Sequence, residues 1–323
     1  MNAFDVTGTF CEDAFLMTLL NIDAVRDATA RIHGHVRRTP VIRVRVPMPD
    51  GERSVALKLE SLQFAGSFKP RGAMNSLLLS GAQEVVACSG GNHGLAVAWA
   101  AARLGRRATI VVPNSAATAK VDAMRRTGAE VILHGDVPAE AFAVAFALVE
   151  ERGWPMVHPY DQEPTIAGQG TLGFELLADA PEVTHWMVAI GGGGLAAGLV
   201  LALDGRSIVV PVEPEGCPSL FEAQLAGRPV TTKAEGIART SLGAPSIGDL
   251  AWSVLATRVD TCTLVTDEAI ADAQRWLWRD LRLVAEPGGA TSLAALMSGA
   301  WSPPPGSSVG VIVCGGNADS LPE

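Results

Sequence analysis

A lysine that does covalent chemistry must be able to lose its proton, which a partly desolvated pocket near other cationic groups makes possible. The sequence offers four candidates: Lys58, Lys69, Lys120 and Lys233. Lys69 lies in Ser67-Phe68-Lys69-Pro70-Arg71-Gly72, a turn rich in serine and glycine rather than an amphipathic surface. Lys58 alternates with apolar residues in the strand-like Val55–Glu60 and is expected at a solvent edge; Lys120 and Lys233 sit in polar stretches without glycine loops. Three further segments could complete a site. Gly191-Gly192-Gly193-Gly194 lets backbone N–H groups and a following helix N-terminus approach an anion. Ser89-Gly90-Gly91-Asn92-His93-Gly94 and Cys314-Gly315-Gly316-Asn317 carry hydroxyl, amide, imidazole and thiol groups on short turns. Plainer roles are open to each: an exposed loop lysine, a helix N-cap at Asn92, a structural His93, a core aromatic at Phe68, a buried strand-end cysteine at Cys314. A dinucleotide loop needs a GxGxxG fingerprint and an acid about 20 residues on, and Asp204 follows the tetraglycine too closely.

These loops follow apolar runs. Glu84–Cys88 leads into Ser89–Gly94 and a helix-like LAVAWAAARLG; Trp186–Ile190 leads into the tetraglycine and LAAGLVLAL; Val309–Val313 leads into CGGN. Buried parallel strands read as such continuous apolar runs, and the strand–turn–helix alternation predicts an α/β fold of open sheets with helices on both faces. Ligands then gather at the C-terminal ends of the strands. Further units are a strand at Ala108–Val112, a helix around Ala117–Thr127, a strand at Glu130–Leu133 and a helical stretch at Ala139–Arg152. We expect an N-terminal extension over 1–20, with Met17 as an alternative start, a large domain from 21–80 plus 161–323, and a small inserted α/β domain at 81–160.

Composition narrows the function classes. A chain of 323 residues suits two domains. A formal charge of −9 argues against nucleic-acid and anionic-membrane partners. Five cysteines without a CxxC pair suggest neither a disulfide framework nor a zinc knuckle, and a reducing cytoplasm is expected. The acidic N-terminus does not read as a secretory signal. The uncharged run Trp186–Leu203 is broken by the tetraglycine, so no spanning helix is expected there.

Taken together, the segments resemble the serine/threonine dehydratase family of fold-type II pyridoxal phosphate enzymes. KLESLQFAGSFKPRGA is similar to their cofactor-lysine segment, GGNHG to their asparagine loop and GGGGLAAG to their phosphate loop. HPYDQEPTIAGQGTLGFEL (His158–Leu176) resembles a stretch of threonine and serine dehydratases and serine racemase; AEPGGA (Ala285–Ala290) and CGGN resemble their C-terminal signatures. The resemblance runs in order from about Asn21 to the end. It implies a tryptophan synthase β-subunit-like fold, a homodimer, and pyridoxal phosphate held as a Schiff base on Lys69. Phe68 would pack on the ring, Asn92 would bond the ring hydroxyl, and Gly191, Gly192, Gly193, Gly194 and Leu195 would hold the phosphate. Cys314 would face the pyridine nitrogen, where a thiol makes the ring a weaker electron sink and suits elimination better than transamination. Ser67, Ser89, Gly90, Gly91, Asn92 and His93 would receive the amino-acid substrate. Lys69 would take the α-proton, and the β-hydroxyl would leave with a proton from the cofactor phosphate.

Three departures shape the expected activity. Where serine racemase carries its far-face acid/base serine, Gly90 has no proton to give, so dehydration should exceed racemisation. A related racemase binds a divalent cation through a Glu, a backbone carbonyl and an Asp; Glu213 and Cys217 match the first two, but Ser219 replaces the Asp. Hard cations prefer carboxylate oxygens, so a tight divalent or monovalent cation site is not expected, and Glu213 is the one candidate ligand. The chain ends soon after CGGN, which leaves no room for a regulatory domain and suggests a catabolic or pathway-specific enzyme. No arginine lies between His134 and Glu151, where relatives that accept dicarboxylates or bind malonate present a basic residue, which favours a neutral β-hydroxy amino acid over hydroxyaspartate. The leading reading is a dehydratase (ammonia-lyase) of L-threonine or L-serine. Alternatives are serine racemase, a hydroxyaspartate- or phenylserine-type dehydratase, a β-replacement enzyme, a non-catalytic cofactor-binding protein, and a plain nucleotide-binding α/β protein.

Overall fold

The computed structural model describes residues 20–318 and 320; the extension expected over 1–20 lies outside them apart from Leu20, as does Met17. Strands β1 (Val41–Met48) and β2 (Gly51–Leu59) form an antiparallel hairpin, in register from Val41↔Lys58 to Met48↔Gly51. Strands β3 (Glu84–Cys88), β4 (Arg107–Val112) and β5 (Glu130–Leu133) form a separate parallel sheet in that order. Strands β6 (His185–Ala189), β7 (Ile208–Pro214), β8 (Thr263–Val265) and β9 (Val309–Val313) join the hairpin in a six-stranded sheet of order β1-β2-β9-β6-β7-β8, parallel beyond the hairpin. The helices are α1 (Ile22–Ile32), α2 (Pro70–Ser80), α3 (Asn92–Arg103), α4 (Thr118–Arg126), α5 (Pro138–Arg152), α6 (Glu163–Asp179), α7 (Gly194–Leu203), α8 (Ser219–Ala226), α9 (Arg239–Leu242), α10 (Asp249–Leu255), α11 (Asp267–Leu281) and α12 (Pro287–Ser298).

Every residue of β9 is buried, as are all but the first of β6 and β7. Consecutive buried residues on a period-2 strand mean that both faces are covered. In the smaller sheet the two faces separate cleanly. Val85 and Ala87 join a core with Met74, Leu77 and Val97, whereas Val86 and Cys88 join another with Ala141 and Ala145 of α5. The uncharged run from Trp186 divides into strand, glycine turn and the fully buried α7. Among the described residues no helix is long and apolar enough to cross a membrane.

Lys58 corrects an expectation. It is fully buried rather than at a solvent edge, because β2 is paired on both sides and α6 brings acids over it. Its Nζ donates to Thr39 O (2.7 Å), Glu175 Oε2 (2.7 Å) and Asp179 Oδ2 (3.2 Å). Arg71, two residues beyond Lys69, extends this network: Nε donates to Glu60 Oε2 (2.8 Å) and Nη1 to Glu175 Oε1 (2.7 Å). Burial alone would lower the Arg71 pKa, but Glu60 and Glu175 outweigh it and hold it above its ordinary value. The network locks the start of α2, and with it Lys69, to β2 and α6.

Candidate active site

The loops after β3 and β9 converge on the turn that follows β2, and the loop after β6 packs against Tyr160, next to the Pro159 whose carbonyl Lys69 bonds, at the strand ends where open α/β sheets bind ligands. Phe68 N donates to Cys314 O (3.0 Å), Gly316 N to Gly66 O (2.9 Å), and Ser67 bridges Gly315. Asn317 Nδ2 donates to Ala65 O and to Asn92 Oδ1, both at 2.8 Å, and Asn92 Nδ2 donates to Glu286 Oε1 at 2.5 Å. Asn92 is therefore not the N-cap of α3: Gly91 holds that position without a side-chain bond, and the Asn92 amide turns to the other loops.

Lys69 precedes Pro70, which fills the first turn of α2 where a missing N–H costs nothing. Its Nζ donates to Pro159 O (2.7 Å) and lies 5.0 Å from the centre of the Phe68 ring. Burial lowers its pKa from 10.5 to about 8, with Cys314 and Glu286 opposing. His93 Nε2 meets Val157 O at 2.8 Å, and burial, assisted by Lys69, holds the ring neutral with a pKa of about 3. Its Nδ1 and the Ser67 hydroxyl are buried without a hydrogen-bond partner among the described residues. Ser89 Oγ accepts from Gly91 N (3.2 Å). A Cβ on Gly90 would stand 2.9 Å from Ala116 Cβ, so this side of the loop has no space for a side chain.

The tetraglycine has its own logic. A Cβ on Gly192 would fall 2.1 Å from the Tyr160 ring, and Gly193 has φ +84°, so neither tolerates a side chain. The N–H groups of Gly191, Gly192 and Gly193 have no acceptor among the described residues. They and the start of α7, where Leu195 is the second residue, present backbone donors that could hold an anion. Cys314 is buried at the end of β9; its Sγ donates to Gly288 O (3.3 Å), and burial and Glu286 raise its pKa so that the thiol stays neutral.

Sequence reasoning gave no role to Tyr160, Glu286 or the Pro159 carbonyl, although all three sit inside quoted segments. Glu213 lies elsewhere, behind the tetraglycine. Its carboxyl group accepts from Leu220 N (2.7 Å) and Phe221 N (2.9 Å), one on each oxygen, and Ser219 Oγ lies 2.9 Å from Oε1. Backbone donors from α8 hold both oxygens, and the neutral hydroxyl of Ser219 stands where a hard divalent cation would need a second carboxylate, so the residues do not fit a cation there.

A family profile described as "Pyridoxal-phosphate dependent enzyme" matches residues 32–315. The chain belongs to this family. It is 37% identical over 313 residues to a serine racemase of Oryza sativa subsp. indica, covering 93% of this chain and 91% of the relative. It is 34% identical over 308 residues to an L-threonine ammonia-lyase of Thermotoga maritima, covering 93% and 76%. The structure of maize serine racemase superposes with a TM-score of 0.86 at 36% identity, covering 93% of this chain and 94% of that one. The fold is thus the tryptophan synthase β-like fold of these pyridoxal phosphate enzymes, and the cofactor is pyridoxal phosphate. The residues suit that cofactor: an amine that deprotonates near neutrality, a cradle of free N–H groups, and a neutral thiol at a strand end.

Proposed function

We propose that the protein is a dehydratase that converts L-threonine or L-serine to a 2-oxo acid and ammonia. When bound, pyridoxal phosphate supplies the electron sink that stabilises negative charge at the substrate Cα. Lys69 would hold the cofactor and, once displaced by the substrate amine, its free amine would take the α-proton. The depressed pKa keeps a useful fraction of that amine neutral. The Ser89–Gly94 turn would bind the substrate carboxylate, with Asn92 oriented by Glu286 and Asn317. Cys314 would meet the ring nitrogen as a neutral group.

Gly90 carries the choice of elimination over racemisation. Inversion at Cα needs a second acid/base on the far face, and position 90 offers neither a proton nor space, since Ala116 closes it. The relatives include both racemases and lyases, so this local feature supports the lyase. The test is release of 2-oxo acid and ammonia from L-threonine and L-serine by the wild type and by Lys69→Ala. Wild type without product, or the variant with undiminished product, refutes the reading.

A further inference from the structure

Ser219 opens α8 and is 1% exposed. Its Oγ lies 2.5 Å from Gly191 O, which can only accept, so the hydroxyl donates to the tetraglycine while resting against Glu213 Oε1. The consequence follows from peptide planarity. The Gly191 carbonyl and the Gly192 N–H belong to one trans peptide unit and point in opposite directions. Holding the carbonyl on the Ser219 side therefore aims the Gly192 N–H into the cradle. The next unit is pinned likewise, by Gly248 N donating to Gly192 O (3.1 Å), which aims the Gly193 N–H. Two successive N–H groups, each fixed through its own carbonyl, make an anion nest. The resemblance places a divalent cation behind this loop, on Glu213, the Cys217 carbonyl and an acidic residue at 219. Here the two backbone donors on Glu213 and the neutral hydroxyl of Ser219 occupy that place.

We propose that Ser219, seated on Glu213, is a positioning residue that aims the phosphate-binding N–H groups through hydrogen bonds alone, so that the protein retains pyridoxal phosphate without a divalent cation. This rests on reading Gly191–Gly194 as the phosphate cradle, but not on the choice between lyase and racemase. The experiment titrates the full-length, cofactor-stripped protein with pyridoxal phosphate and with pyridoxal, which lacks the phosphate. Wild type, Ser219→Ala and Ser219→Thr are compared in chelator and in excess magnesium, with thermal stability of the stripped forms as the folding control. Ser219→Ala should bind pyridoxal phosphate about tenfold more weakly, the loss of roughly one hydrogen bond, and bind pyridoxal unchanged. Ser219→Thr should restore affinity to within about twofold, since it keeps the hydroxyl, and magnesium should not alter the wild-type Kd. A Ser219→Ala variant with wild-type affinity, equal weakening toward both ligands, or a wild-type Kd tightened by magnesium overturns the proposal. A wild type that does not distinguish the two ligands overturns the cradle reading itself.

Discussion

The pKa of Lys69 makes a quantitative prediction about cofactor capture. An ordinary lysine with pKa 10.5 is about 0.03% neutral at pH 7, whereas one at about 8 is about 9% neutral, roughly 300-fold more of the reactive amine. The cause is burial of the amine in the pocket formed by Phe68, Pro159 and the Cys314 turn, with the opposing influence of Cys314 and Glu286 too small to restore it. His93 and His158, held neutral with pKa values of about 3 and about 4, add no limb near neutrality. The cofactor-stripped protein is mixed with excess pyridoxal phosphate across pH 6 to 10, and appearance of the visible Schiff-base band is followed by stopped flow. The second-order rate should rise about tenfold per pH unit below pH 8 and level off above it. A rate that climbs without a break toward pH 10 would show that Lys69 titrates as an exposed lysine, and the burial argument would fail.

Three further outcomes follow from the same geometry. Cys314→Ser should keep kcat per bound cofactor near wild type, because both side chains are short neutral donors. Cys314→Asp should lower it, since a carboxylate would strengthen the electron sink while facing Glu286 in a buried site; thermal melts run beside the kinetics separate lost stability from lost chemistry. Gly90→Ser alone is expected to be hindered by Ala116, whereas Gly90→Ser with Ala116→Gly should raise D-serine formation relative to pyruvate, measured by chiral chromatography. Arg71→Met leaves buried Glu60 without its ion-pair partner and should cost about 3–5 kcal/mol. Lys58→Met should cost less in the same urea unfolding assay, because Glu175 keeps Arg71 and Asp179 keeps Arg38.

The parts of this site legible in sequence are local: apolar runs ending in glycine turns, and a lysine ahead of proline where a helix begins. Glu84–Cys88 and Val309–Val313 fall on β3 and β9, because continuous apolar character is what burial on both faces demands, and Glu130–Leu133 falls on β5, the partly exposed edge of the smaller sheet. What escaped is made by residues far apart in the chain. Lys58 looked solvent-facing because its acidic partners are 117 and 121 residues away on α6. Asn92 looked able to cap its own helix, but partners 194 and 225 residues distant claim it. Ser219 read as a missing metal ligand. Its bond to Gly191 depends on how β7 and α8 sit behind the tetraglycine, which no local pattern encodes.

The direct test of the central claim is a single incubation of the purified protein with L-serine in which pyruvate and D-serine are quantified together over time. A positioned acid/base typically contributes about 10²–10⁴ in rate, so a site with Gly90 on the far face should yield pyruvate and ammonia well ahead of D-serine throughout. D-serine accumulating faster than pyruvate would contradict the assignment and identify the protein as a racemase that finds its second base elsewhere.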